Sequence, residues 1–124
     1  MKQLQLTLLM ILGFLSFSFA QPKKAVLSAT IKTPNAQCEE CKQRIEAFMA
    51  REEGLVKTVV DFKRKTTKVT YFSDRTNIEN IKTAIANLGF DADDVTANPE
   101  FYNKLPPCCK KIADGGGKPP VKPE

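Results

Sequence analysis

The chain contains no histidine and no tryptophan, and only four cysteines. Without imidazole, neither a histidine-based catalytic centre nor a histidine metal ligand can be built. No serine or carboxylate pair has an evident partner, so no catalytic constellation is visible and an enzyme is not expected. Any metal site must use thiolates, carboxylates or backbone oxygens. With thiolates the candidates are soft or borderline ions: Cu(I), Hg(II), Zn(II) and Cd(II). After residue 20 there is no further apolar run long enough to cross a bilayer, so the mature chain is not expected to be membrane-embedded.

What is present begins with a leader. Lys2 precedes a mostly apolar stretch from Leu4 to Phe19, and Ser18-Phe19-Ala20 places small residues where a signal peptidase reads. Residues 1–20 are read as a signal peptide and 21–24 as a polar leader. The expected location is outside the cytoplasm: periplasmic in a Gram-negative bacterium, otherwise secreted. Removing Lys2 lowers the formal charge from +5 to +4. Lysines cluster at 23–24, 63–68, 110–111 and in the tail, and these clusters read as a solvated surface. A nucleic-acid partner would need a basic face with interleaved aromatics, and export argues against one. A monomer is expected.

Residues 25–33 alternate Leu27, Ala29 and Ile31 against Ser28, Thr30 and Lys32, a strand pattern broken by Pro34-Asn35. Cys41, Ile45, Phe48 and Met49 follow helical spacing and predict a buried stripe, with Gly54 as the stop. Residues 55–63 and 67–72 read as two strands of a hairpin around Arg64-Lys65-Thr66. Thr76-Asn77-Ile78-Glu79 matches a capping box, and Ile78, Ile81, Ile85 and Leu88 continue one helical face up to Gly89. Residues 90–96 are expected to form a last, edge strand despite Asp91, Asp93 and Asp94. Those three aspartates lack the spacing of a calcium loop and read as a solvated edge.

The resulting order over 25–96 is βαββαβ. It predicts an α+β, ferredoxin-like domain with a four-stranded antiparallel sheet and two helices on one face. Residues 97–112 form an extension, with a helix from Asn98-Pro99 whose Phe101, Tyr102 and Leu105 can pack back on the domain. The glycine- and proline-rich stretch 113–124 is expected to be disordered.

The chemistry lies in Cys38-Glu39-Glu40-Cys41. On this layout Cys38 sits in the loop after the first strand and Cys41 in the first turn of the first helix. Both sulfurs can converge on one point, and a helix N-terminus favours thiolate over thiol. Lys42 and Arg44 assist, while Glu39 and Glu40 oppose. Such an open two-thiolate clamp suits Cu(I) or Hg(II) and leaves tetrahedral Zn(II) two ligands short. A rival use of CxxC is thiol–disulfide oxidoreduction, but the familiar redox scaffold surrounds the pair with tryptophan and proline, and here two glutamates stand between the cysteines.

A strand, a CxxC at a helix start and a following ββαβ resemble the heavy-metal-associated domain of copper chaperones, metal-pumping ATPases and secreted mercury-binding proteins. The resemblance rests on Cys38-x-x-Cys41, Gly54-Leu55, Val60-Asp61-Phe62, Val69-Thr70-Tyr71, and Ala84-Ile85 to Leu88-Gly89-Phe90. It implies that Cys38 and Cys41 are the metal ligands, and that Phe90 occupies the place near the site where the family carries an aromatic or a lysine. Core filling is the bland alternative for Phe90. It further implies a carrier, chaperone or scavenger that receives or delivers its ion by ligand exchange with a membrane metal transporter or another metal-binding domain. Where the family has Gly-Met-Thr before the first cysteine, this chain has Asn35-Ala36-Gln37, which puts the rigidity of the loop in question.

Cys108 and Cys109 lie outside the family pattern. Adjacent cysteines rarely bond to each other. If a fourth strand carried the chain to the far pole, the residues from Thr96 to Cys108 could just span the domain back to the first pair. Three readings stay open: added ligands that would suit Zn(II), Cd(II) or a small Cu(I) cluster, cross disulfides between the two pairs, or a separate docking site.

Overall fold

The computed structural model describes residues 25–117; the expected signal peptide and leader lie outside the described residues. Period-two alternation produces β1 (Val26–Lys32), β2 (Leu55–Asp61) and β3 (Thr66–Phe72). They pair antiparallel in the order β1-β3-β2. The register sets Ile31 opposite Thr67 and Ala29 opposite Val69 on one side of β3, and Val60 opposite Thr67 on the other. Ile31, Val60, Val69 and Tyr71 thereby share the buried face of the sheet.

Helices α1 (Glu39–Met49) and α2 (Ile78–Ala86) cover that face. The 3.6-residue period buries Cys41, Ile45 and Met49 on α1, and Ile81, Ala84 and Ile85 on α2, in one core with the sheet. Phe48, expected in the same stripe, is 45% exposed at the edge of α1. The start of α2 also differs from the capping box: Asn77, not Thr76, is the cap, and its Oδ1 accepts the Asn80 N–H at 2.9 Å.

The fourth strand does not form. Residues 90–96 make a tight turn instead, closed by Ala92 N–H to Val95 O and Val95 N–H to Ala92 O, both 2.9 Å. The aspartates are the physical reason. Asp93 takes a left-handed φ of 52°, which ends an extended chain. Its Oδ1 accepts the Lys32 N–H at 2.7 Å while its own N–H donates to Lys32 O at 2.9 Å. Lys82, a half-buried side chain on α2, reaches Asp94 at 3.1 Å and Asp93 at 3.6 Å. These carboxylates are therefore fastened to backbone and lysine rather than simply solvated, and the observed sheet has three strands.

The consequence is positional. Lys32 ends β1 at the pole that carries the Cys38 loop, so a turn fastened to Lys32 keeps the chain at that pole. Asn98 N–H then bonds Ala86 O at 2.9 Å, and a short helix α3 (Pro99–Asn103) begins. It lies directly on Gly89, where a Cβ would stand 2.8 Å from the Phe101 carbonyl carbon and the Tyr102 nitrogen. Gly89 also has φ +98°, so glycine is required there twice over.

The remainder is ordered by its own hydrogen bonds. Single 3-10 turns form at Pro107–Cys109 and Ile112–Asp114. The disorder expected from residue 113 is corrected for 113–117: Gly116 N–H bonds Lys111 O at 2.9 Å, and Gly117 N–H bonds Pro107 O at 3.0 Å. Residues 118–124 lie outside the described residues.

Candidate metal centre

The loop from β1 to α1 is a built structure. Ala36 N–H donates to Thr33 O at 3.0 Å, closing a turn through Pro34-Asn35. The buried hydroxyls of Thr33 and Thr67 lie 3.0 Å apart, joining the loop to β3. Asn35 is fully buried, and every capacity of its amide that matters here is used. Its Nδ2 donates to Gly89 O at 3.1 Å and to Cys109 O at 2.9 Å, and its Oδ1 accepts the Asp91 N–H at 3.0 Å. The question raised by Asn35-Ala36-Gln37 is answered by side-chain chemistry. Ala36 is buried under the loop, Asn35 ties it to both sides of Phe90, and Gln37 Nε2 donates to Lys110 O at 2.8 Å.

The chain then enters α1 at Cys38, which is the cap residue in extended conformation (φ −146°, ψ 169°). Its carbonyl accepts the Lys42 N–H at 3.1 Å. Cys41 lies one turn in, fully buried, and the two sulfurs are 3.1 Å apart. The free N–H groups of the first turn surround them with positive dipole, offset by Glu39 and Glu40.

The second pair arrives on top of the first. The 3-10 turn Pro107–Cys109 brings all four sulfurs within 4.8 Å of one another. Cys38 is disulfide-bonded to Cys108, with Cα atoms 6.2 Å apart, and Cys41 to Cys109, with Cα atoms 5.6 Å apart. Cys38 Sγ is 3.8 Å from Cys109 Sγ, and the vicinal sulfurs are 3.9 Å apart. Of the open readings for the second pair, a separate location is excluded, and the span across the domain never arises because the tail starts at the same pole. The clamp is not the open one expected: Cys41, Cys108 and Cys109 are buried, and only Cys38 keeps partial exposure.

The tail is fastened over the sulfurs by more than sulfur. Lys111 Nζ pairs with Asp91 Oδ2 at 2.8 Å, while Lys111 N–H donates to the Tyr102 hydroxyl at 2.8 Å. That hydroxyl in turn donates to Asp114 Oδ2 at 2.5 Å. Burial pushes the Asp91 carboxyl up, but the Lys111 ammonium and the Ala97 N–H outweigh it and hold the carboxyl below its usual range. The hydrogen bond to Asp91 raises Lys111. Burial is the main cause that raises the Tyr102 hydroxyl, and the Asp114 carboxylate adds to it.

Phe90 is fully buried in the core cluster that also holds Cys41, Cys108 and Cys109. Asn35 and Asp91 are the residues that sequence reasoning missed. In the sequence Asn35 reads as a strand breaker and as part of a departure from the family's triplet before the first cysteine, not as an anchor. A buried asparagine three residues before a CxxC pair carries no periodic signal, and its partners at 89, 91 and 109 are remote in sequence.

Comparison with known proteins follows the same outline. The profile of the heavy-metal-associated domain matches residues 30–91. A copper chaperone CopZ of Staphylococcus haemolyticus is 26% identical over 66 residues, covering 53% of this chain and 97% of that protein. A mercuric transport protein periplasmic component of Shewanella putrefaciens is 29% identical over 90 residues, covering 73% of this chain and 93% of that protein. Among solved structures, oxidized MerP from Ralstonia metallidurans superposes with a TM-score of 0.53 at 23% identity, over 56% of this chain and 96% of that one. The matched family region ends at residue 91, so Cys108 and Cys109 lie outside it.

Proposed function

The chain belongs to the heavy-metal-associated domain family, and on that premise we propose that it is an exported carrier of a soft metal ion, Cu(I) or Hg(II). The thiolates of Cys38 and Cys41 hold the ion in the reduced protein. The observation that carries this reading is the placement of the pair, with Cys38 at the cap and Cys41 in the first turn of α1, sulfurs 3.1 Å apart. Two sulfurs at one helix N-terminus satisfy an ion that favours low coordination by soft ligands. Binding displaces the thiol protons, so affinity rises with pH until the thiols are ionised. A partner with its own thiolates takes the ion by adding a sulfur before one of these two leaves. That partner is a membrane metal transporter or another metal-binding domain.

Export is supported by the leader at residues 1–20 and by the relative described as a periplasmic component of mercuric transport. The location is the periplasm of a Gram-negative cell, or the exterior otherwise.

The test is equilibrium binding of Cu(I) and of Hg(II), in competition with a chelator, to anaerobically reduced protein. Tight one-to-one binding that disappears in Cys38→Ser/Cys41→Ser is expected. Binding that survives the double substitution would overturn the reading. An insulin-reduction assay on the same samples separates the rival: high reductase activity with weak ion binding would favour thiol–disulfide exchange by the CxxC pair.

A further inference from the structure

We infer that residues 105–117 are a redox-locked lid that turns the two-thiolate pair into a closed four-thiolate site for a tetrahedral ion, Zn(II) or Cd(II), once both cross disulfides are reduced. The inference rests on the carrier reading for Cys38 and Cys41 and adds Cys108 and Cys109 to the same site. In the oxidised chain every sulfur is consumed by a bond to its opposite number. No thiolate is then available, and the site is locked against metal.

Reduction alone would not remove the lid, because its seat does not depend on sulfur. Asn35 holds the Cys109 carbonyl, Gln37 holds the Lys110 carbonyl, and Asp91 pairs with Lys111. Leu105 is buried in the core, and Tyr102 bonds Asp114 and Lys111 across the lid itself. These contacts flank the cysteine pair on both sides. They keep the two lid sulfurs over the first pair after the S–S bonds open.

The sulfur spacing fits the proposed ion. Four thiolates at ~2.3 Å from a tetrahedral zinc lie ~3.8 Å from one another. The Cys38–Cys109 and Cys108–Cys109 separations are already 3.8 and 3.9 Å. The Cys38–Cys41 separation of 3.1 Å has to widen by ~0.7 Å, and the two bonded pairs open to the same spacing when their bonds are broken. The four sulfurs then lie on four sides of one buried point.

The chemistry balances with a dithiol as reductant. One dithiol thiolate attacks Cys38, the sulfur with exposure, forming a mixed disulfide and releasing the Cys108 thiolate. The second thiol of that dithiol closes its own ring and releases Cys38. Cys38, 3.1 Å from Cys41, attacks it and frees Cys109, which moves the remaining disulfide from the buried pair to Cys38–Cys41. A second dithiol then reduces that bridge in the same way. Two dithiols supply four electrons and four protons and are themselves oxidised to two cyclic disulfides. The protons leave again as the ion binds.

The test uses the full chain, reduced with dithiothreitol under argon, freed of reductant and loaded with Cd(II) alone. X-ray absorption should count four sulfurs around one cadmium in the wild type. In Cys108→Ser/Cys109→Ser the count should fall to two, with affinity lower on the order of 10⁴-fold, taking half the apparent binding free energy of a four-ligand structural site. Oxidised protein should take up no cadmium until dithiothreitol is added. Two sulfurs in the wild type would overturn the lid whatever the variant does, as would equal affinity in the two proteins. In either case, loss of Cu(I) binding in Cys38→Ser/Cys41→Ser would leave the carrier reading standing.

Discussion

The side-chain amide of Asn35 donates to the carbonyl of Cys109 at 2.9 Å, so the residue that shapes the first cysteine loop also seats the second cysteine pair. The same amide holds Gly89 O and Asp91 N–H. Removing it leaves two buried carbonyls and one partly buried N–H without their partner. Asn35→Ala should therefore cost about 2–4 kcal/mol, more than an ordinary single hydrogen bond. Urea unfolding of the oxidised protein checks the magnitude. Because Asn35 anchors the lid, the reduced variant should also show faster amide exchange at residues 108–110 than reduced wild type.

Gly89 and Gly115 separate two costs that are usually confounded. Both have positive φ, +98° and +81°. At Gly89 a Cβ would meet backbone of α3 at 2.8 Å, whereas at Gly115 nothing lies within 4 Å. Gly115→Ala should lose only the left-handed strain, about 1 kcal/mol. Gly89→Ala adds a backbone collision that α3 can relieve only by lifting off, for a total of about 2–4 kcal/mol. Thermal unfolding of the two variants side by side would show the difference, and limited proteolysis after Phe101 would show where it acts.

Much of this architecture is legible in the sequence, and the failures share a cause. Alternation marks β1, β2 and β3, and the 3.6-residue period marks α1 and α2, because each element buries a face of its own residues. The CxxC pair is legible for the same reason: Cys41 begins the apolar stripe of α1. Residues 90–96 mislead because their fate is decided by what three aspartate side chains find in space, namely Lys32, Lys82, Lys111 and the Ala97 N–H. Local propensity already disfavours a strand there, but nothing local says that the turn will stay at the metal-loop pole. The position of Cys108 and Cys109 follows from that turn, and so does the order of the glycine run. Asn35 is the extreme case, a single polar residue whose partners are 54, 56 and 74 positions away.

The Asp91–Lys111 pair gives the lid a pH dependence whose sign can be stated. Asp91 has its carboxyl held below the usual 3.8 in the folded chain. Its contribution is in place above pH 3.8 and is lost as pH falls through the lower folded value. Lys111 is raised above 10.5, so its share is complete below that value and is lost as pH rises through the folded one. The stability gap between wild type and Asp91→Asn should be widest at neutral pH and should close as pH falls below 3.8 and through the lowered folded value. Urea titrations of both proteins at a series of pH values measure it. A gap that widens on acidification would contradict the assignment.

The two disulfides should contribute unequally according to the order in which they are removed. Their sequence separations are 70 and 68, so either one alone closes nearly the same long loop and restricts the unfolded chain by about 4 kcal/mol. Once one is present, the other closes only the short ring formed by residues 38–41 and 108–109, and adds about 1–2 kcal/mol. Cys38→Ala/Cys108→Ala and Cys41→Ala/Cys109→Ala should therefore each keep most of the stability of the oxidised protein, after allowance for the side chains removed. The quadruple alanine variant should lose far more than the sum of the two double variants. Calorimetric unfolding of the four proteins forms a double-mutant cycle, and its interaction term should be about 2–3 kcal/mol. Additivity within a few tenths would mean that each cross-link restricts the unfolded chain independently, rather than the two sharing one long-loop cost as parallel cross-links require.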